Sequence, residues 1–174
     1  MEPRREAVVN AEDSFEEFYR STRHRVVTVL YALGGDLGEA QDAAQEAYVR
    51  AWQRWSKISA YDDAEAWVRT VGYRLLVNRW RKIRNGLSAY RRHGADSATG
   101  PPSEDTVALV AALRRLPAEQ RQAVVLHHLA DLSVLDISKQ TGTPTGTVKA
   151  RLARGRKALA VLLDTSFPEE VSHA

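Results

Sequence analysis

The chain has no cysteine among its 174 residues. That excludes disulfides and removes the thiolates on which most structural zinc sites depend. Six prolines and ten glycines are too few for a chain that is disordered throughout, and a hydrophobic content of 44% is ample for a core. Long apolar runs are also missing. Nothing approaches the ~18 consecutive apolar residues of a membrane-spanning helix. The opening MEPRREAVVNAEDSFEE has no continuous apolar stretch, so no signal peptide is expected. No strand-like alternation and no internal repeat is visible. The expectation is a soluble, cytoplasmic, all-α protein, built as one domain or two small helical ones.

The scarcest feature is local: acid is absent from two long segments. The formal net charge is only +3, yet Ala66 to Ala95 contains no Asp or Glu against Arg69, Arg74, Arg79, Arg81, Lys82, Arg84, Arg91 and Arg92. Ile137 to Leu163 is likewise free of acids. Two basic blocks remote in sequence suggest two separate contacts with a polyanion.

The second block lies in LSVLDISKQTGTPTGTVKARLARGRKALAVLL, residues 132–163. A short amphipathic helix, a turn at Gly142 and a second helix opened by Thr143-Pro144 spell a helix-turn-helix. Thr143 suits the cap of that second helix and Pro144 its first position, where a missing N–H costs nothing. At about 100° per residue, Val148, Leu152, Gly155, Leu159, Leu162 and Leu163 form one core-facing stripe. Opposite lie Lys149, Ala150, Ala153, Arg154 and Lys157, with Thr147 and Arg151 at the edge and Arg156 on a flank. Long cations reach phosphates and guanine edges, and small alanines allow close approach to bases. A solvated basic face on a bundle helix is the bland alternative. The turn, the Thr-Pro start and the missing acids together favour DNA.

Glycine, proline and serine cluster from Asn85 to Ser103, where no apolar period survives. The segment 87–103 reads as a flexible linker between helical halves at 12–86 and 104–165. Three helices are expected in front. Ser14 and Glu17 suit a capping box, and Phe15, Phe18, Tyr19, Val26, Val29, Leu30 and Leu33 follow at helical spacing until Gly34-Gly35. The second helix carries Ala40, Ala44, Ala47, Tyr48, Ala51 and Trp55 on one face. Asp62 and Glu65 suit the start of a third, running to Arg84. Behind the linker, helices are expected near 104–115, 117–130, 133–140 and 144–163, with Pro117 in the first turn of its helix. The first dozen and last nine residues read as frayed.

On the second helix, the face opposite the alanines shows Asp42, Gln45, Glu46, Val49 and Gln53. It is either a solvated surface or a docking ridge for a basic partner, anchored by Val49. The third helix interleaves Trp67, Tyr73 and Trp80 with Arg69, Arg74, Arg79, Arg81 and Lys82. Some of these rings belong to the core. Rings beside cations are also what unpaired DNA needs, since bases stack on the rings while the backbone follows the charge.

These segments resemble those of a known family. The chain is similar to bacterial RNA polymerase sigma factors of the extracytoplasmic-function (ECF) class, over about residues 13–86 and 104–164. GDLGEAQDAAQEAYVRAW resembles the core-polymerase-binding segment, with Asp42, Gln45 and Glu46 on its most typical positions. AEAWVRTVGYRLLVNRWRK resembles the helix that opens the minus-ten element, and GTPTGTVKARLARGRKAL the minus-thirty-five reader. The resemblance implies two sigma domains, a three-helix domain two and a helix-turn-helix domain four. Its implied partners are core RNA polymerase (the β′ clamp helices and the β subunit), promoter DNA and an anti-sigma factor. It implies a polymerase-docking set of Asp42, Gln45, Glu46, Val49 and Gln53. The implied minus-ten set is Trp67, Tyr73, Arg74, Asn78, Arg81, Lys82 and Arg84, and the minus-thirty-five set is Thr147, Lys149, Ala150, Arg151, Ala153 and Arg154. The chain departs from the family pattern at Asp136-Ile137-Ser138, where Glu-Ile-Ala is usual. It departs also at Arg74 and Asn78, where many members carry Asn and then Asp, and at Ala150 and Ala153 on the recognition helix.

Two other readings compete. A free-standing helix-turn-helix regulator explains the back half but leaves the ridge and the aromatic-basic helix without purpose. For an enzyme, the adjacent His127 and His128 point about 100° apart on a helix and make a poor chelate. No carboxylate pair or nucleophile motif stands near them. No catalytic residue, metal or cofactor is expected.

Overall fold

The computed structural model describes residues 3–86 and 101–166, with side chains from Asn10 to Asp164. The stretch 87–100, which holds most of the expected linker together with Arg91 and Arg92, and the tail 167–174 lie outside the described residues. Eight helices are described: α1 (Pro3–Gly34), α2 (Leu37–Trp52), α3 (Trp55–Ile58), α4 (Ala64–Arg84), α5 (Glu104–Arg114), α6 (Ala118–His128), α7 (Val134–Thr141) and α8 (Thr145–Ser166). They fall into two compact units, Met1–Asp96 and Ser97–Ala174.

In the first unit, α1, α2 and α4 pack on one another. Gly35 (φ 81°) ends α1, and the Asp36 carboxylate then caps α2 by accepting from the Glu39 N–H at 2.8 Å. Ala40, Ala43, Ala44, Ala47 and Ala51 are all buried on α2. Their small side chains let neighbouring helices come close. Gly72 serves the same purpose on α4: a Cβ there would stand 2.6 Å from Leu30 Cδ1. Leu30, Val26, Val68, Leu76 and Ile58 complete the core.

Several sequence expectations need correction here. Ser14 does not open a helix. α1 begins at Pro3, so most of the supposedly frayed first dozen residues are helical, and the Ser14 hydroxyl instead accepts the Trp55 indole N–H at 3.2 Å. Trp55 is buried as expected, but it belongs to the short α3 rather than to α2. Asp63, not Asp62, caps α4, accepting from the Ala66 N–H at 2.8 Å. The Glu65 carboxylate pairs instead with two arginines, Arg69 at 2.9 Å and Arg25 at 2.8 Å. Arg69 is only 4% exposed, and its other terminal nitrogen reaches Asp63 at 3.4 Å. It is therefore a structural clasp at the head of α4, not part of a polyanion-binding surface.

In the second unit, Ser103 caps α5 and Ser133 caps α7, and the Asp136 carboxylate reciprocates by accepting the Ser133 hydroxyl at 2.6 Å. The turn residue Gly142 is left-handed (φ 66°), a conformation that glycine adopts without a Cβ penalty. α8 starts one residue later than the Thr143 cap implied, with the Pro144 carbonyl accepting from the Val148 N–H at 3.0 Å. Thr143 is used differently: its hydroxyl lies 3.4 Å from a terminal nitrogen of Arg151. Likewise Pro117 precedes α6, and its carbonyl accepts from the Arg121 N–H at 2.9 Å. Val148, Leu152 and Gly155 face the core as expected. Leu159 and Leu163 are only half-buried, because α5, α6 and α8 leave an apolar groove of about 330 Å³ between them.

Candidate polymerase and nucleic-acid interfaces

The outer face of α2 is less acidic than its sequence suggests. Gln45 and Val49 are exposed, Val49 to 50%. Asp42 and Glu46 are half-exposed and already face cations of their own unit. Arg79 of α4 lies 3.7 Å from Asp42 and 3.9 Å from Glu46, and Arg50 lies 2.5 Å from Glu46. Such solvent-facing pairs are worth about 0–1 kcal/mol each. A stronger basic partner can displace them at small cost. Gln53, expected on this ridge, instead opens onto the neighbouring cleft.

That cleft, of about 480 Å³, lies between α2 with its exit and α4. Arg50, Gln53 and Arg54 form one wall; Trp67, Val71, Arg74, Leu75 and Asn78 form the other. No carboxylate lines it. Trp67 is half-buried, while Arg54, Arg74 and Asn78 are exposed. Further along α4, Arg81, Lys82 and Arg84 are exposed, and Tyr73 is half-buried. Trp80 resolves differently from Trp67: its indole N–H donates to Glu39 at 3.1 Å, and its ring packs beside Gly34. It holds α4 to the rest of the unit.

On α8, Thr147, Lys149, Ala153 and Arg154 are exposed, and Ala150 and Arg151 are half-buried. The buried Val148 and Leu152 anchor the opposite face, so the helix is held with its cations outward. Behind it, His127 Nδ1 donates to the Leu132 carbonyl at 2.8 Å, taking that nitrogen away from any ligand. Burial, with His127 and Arg156 nearby, lowers the pKa of His128 below the usual imidazole value. Among the described residues, no group of three or more His, Cys, Asp or Glu side chains is placed to hold a metal ion.

Comparison with known proteins bears on what these surfaces serve. The family described as Sigma-70 region 2 matches residues 18–86, and that described as Sigma-70, region 4 matches residues 106–159. The ECF RNA polymerase sigma factor SigK of Mycobacterium tuberculosis is 30% identical over 165 residues, covering 88% of this chain and 87% of the relative. The chain belongs to the ECF sigma factors. SigW of Bacillus subtilis, also an ECF sigma factor, is 27% identical over 166 residues, 85% of this chain and 88% of its own. Among solved structures, the sigma factor RpoE of Bartonella quintana, bound to the anti-sigma factor NepR, matches with a TM-score of 0.69 at 23% identity, covering 87% of this chain and 97% of that one. CnrH, in complex with the cytosolic domain of CnrY, matches at 0.63 and 18% identity, covering 88% and 90%. At those identities the two structures speak for the all-α fold.

The function of this sigma factor is to bind core RNA polymerase and recognise promoter DNA for transcription initiation. Membership over both regions overturns the alternative of a free-standing regulator, which would have no use for a region 2. No helix among the described residues is long and apolar enough to cross a membrane.

Residues missed in the sequence are Arg50 and Arg54, which face the cleft from α2 and from the exit that follows it. Their spacing from Gln53 was visible. Their nearness to α4 was not, because it depends on where α2 ends.

Proposed function

We propose that the first unit both docks on polymerase and holds melted minus-ten DNA, while the second reads the minus-thirty-five duplex. Docking falls to Asp42, Gln45, Glu46 and Val49 of α2, against a basic surface with an apolar seat for Val49. Trp67, Tyr73, Arg74, Asn78, Arg81, Lys82 and Arg84, joined by Gln53, take the unpaired strand. Thr147, Lys149, Ala150, Arg151, Ala153 and Arg154 meet the duplex. The observation that carries this reading is the acid-free cleft of α2 and α4, where a half-buried indole lies among exposed guanidiniums. That combination suits unstacked bases better than a duplex. The factor supplies position and charge, and phosphodiester chemistry is left to the polymerase, in the cytoplasm. An anti-sigma factor, such as the one found with the Bartonella quintana relative, is proposed as a third partner.

Run-off transcription with core polymerase on fragmented genomic DNA tests the scheme. The parent should yield discrete start sites that core enzyme alone does not. Glu46→Arg should cut both pull-down of core enzyme and transcript by roughly tenfold or more, since like charges at a docking contact cost several kcal/mol. Unchanged capture by a normally helical variant would show that the ridge is only solvated.

A further inference from the structure

The cleft between α2 and α4 is uneven in the hydrogen-bonding groups that line it. Its polar groups are unequal: Arg50, Arg54 and Arg74 are donors only, Gln53 and Asn78 both donate and accept, and no carboxylate is present. Arg50 is committed to Glu46 at 2.5 Å. Among the described residues, no ion pair engages Arg54 or Arg74, and both are exposed at the cleft. Two uncommitted guanidiniums beside a half-buried indole are a fork for a flat ligand that presents acceptors at its edge.

We propose that this cleft selects an unpaired base with two adjacent acceptors on one edge, gripped by Arg74 with Arg54 while the base stacks on Trp67. The proposal rests on the assignment of the cleft to melted minus-ten DNA. Guanine offers such an edge at O6 and N7. Cytosine offers one at O2 and N3, with its amino group left for the amide oxygen of Gln53 or Asn78. Adenine sets its N1 and N7 acceptors each beside the amino donor, which a guanidinium cannot accept, and its N3 stands alone without a second acceptor. Thymine separates its two carbonyls by an N–H. Both are disfavoured because a donor-only fork meets a donor.

The test uses holoenzyme assembled from the full chain and core polymerase, on a pre-melted promoter taken from a start site mapped by run-off transcription. Each unpaired minus-ten position carries A, C, G, T or an abasic residue in turn, and binding is measured for the parent, Arg74→Ala, Arg54→Ala and Arg74→Lys. At one position, guanine or cytosine should bind the parent about five- to tenfold more tightly than adenine or thymine. Arg74→Ala should bring all four bases within about twofold, and Arg74→Lys should not restore the preference, since an ammonium lacks the planar fork. 7-Deazaguanine separates the two sources: loss of the preference assigns guanine through N7, whereas an unaltered cytosine preference assigns O2 and N3. The inference is overturned if the preference survives both arginine-to-alanine variants. It is also overturned if those variants weaken all five templates equally, which marks a phosphate contact. In either case tighter binding of bubble than duplex keeps the melted-strand assignment. Equal binding of bubble and duplex by the parent overturns that assignment and the base preference together.

Discussion

Tyr48 ties α1 to α2 through a buried hydrogen bond, its hydroxyl lying 2.7 Å from that of Thr22, while its ring packs edge-on against Phe18 and Tyr19. Burial raises its pKa above tyrosine's usual 10.0, because a phenolate there would be stripped of water; the Thr22 hydrogen bond opposes this only in part. A raised folded-state pKa means that the folded form resists ionisation which the unfolded chain accepts. The stabilisation is therefore full below about pH 10 and declines as pH rises beyond it. Urea unfolding should show the parent losing stability between pH 9 and 11. Tyr48→Phe should start roughly 0.5–1.5 kcal/mol lower at pH 8 and fall less steeply. Parallel curves would mean that Tyr48 is not the titrating group. Single-residue roles were the least legible level of the sequence. Ser14 with Glu17 has the spacing of a capping box, but that spacing also occurs inside helices. The true partner of Ser14 is Trp55, 41 positions away. Arg69 likewise read as one more cation of a basic run, because its burial depends on Glu65 and Asp63 turning toward it at the head of α4.

Helices were far more legible, since period and caps are local. The Gly35 stop, the Gly142 turn and the serine-led starts of α5 and α7 are each set by a few neighbouring residues. α3 escaped because the four residues of Trp55–Ile58 are too few to show a 3.6-residue period. Close approach between helices is the other property the pattern hides. Gly155 looked like one more member of an apolar stripe, yet a Cβ there would stand 2.7 Å from Val124 Cγ2 and 3.2 Å from the Gln120 carbonyl oxygen. Gly146, on the same helix, has nothing within 4 Å. Alanine favours a helix interior by up to about 1 kcal/mol over glycine and the first turn, where Gly146 sits, by less, so Gly146→Ala should leave the melting temperature equal or slightly raised. At Gly155 the same gain is opposed by about 1–3 kcal/mol of overpacking against α6, and Gly155→Ala should melt lower than the parent. Calorimetry of the full chain compares the two. Equal melting temperatures would show that α6 and α8 separate without cost.

Across the whole molecule, a net charge of +3 conceals how the cations divide. Some are spent internally: Arg25 and Arg69 on Glu65, and Arg79 on Asp42 and Glu46. Others stand exposed where DNA is proposed to lie, namely Arg74, Arg81, Lys82 and Arg84 on α4, and Lys149 and Arg154 on α8. Sequence reasoning marked both basic segments but could not separate spent cations from free ones, since that division is decided by packing. On α8 the free cations should differ in kind. Thr147, Ala150 and Ala153 keep the helix surface low around Arg154, which suits the proposed grip of its guanidinium on a guanine edge through two hydrogen bonds. Lys149, a flexible point charge, is suited to phosphate. With holoenzyme and a panel of minus-thirty-five variants, Arg154→Ala should cost about 1–3 kcal/mol on the preferred sequence and flatten the preference at one base position. Lys149→Ala should weaken every sequence alike and reduce the log–log salt slope by about one unit. Measuring each variant across the panel at several salt concentrations separates base reading from charge neutralisation. If Arg154→Ala leaves both affinity and base preference untouched, the outward face of α8 does not read the minus-thirty-five element.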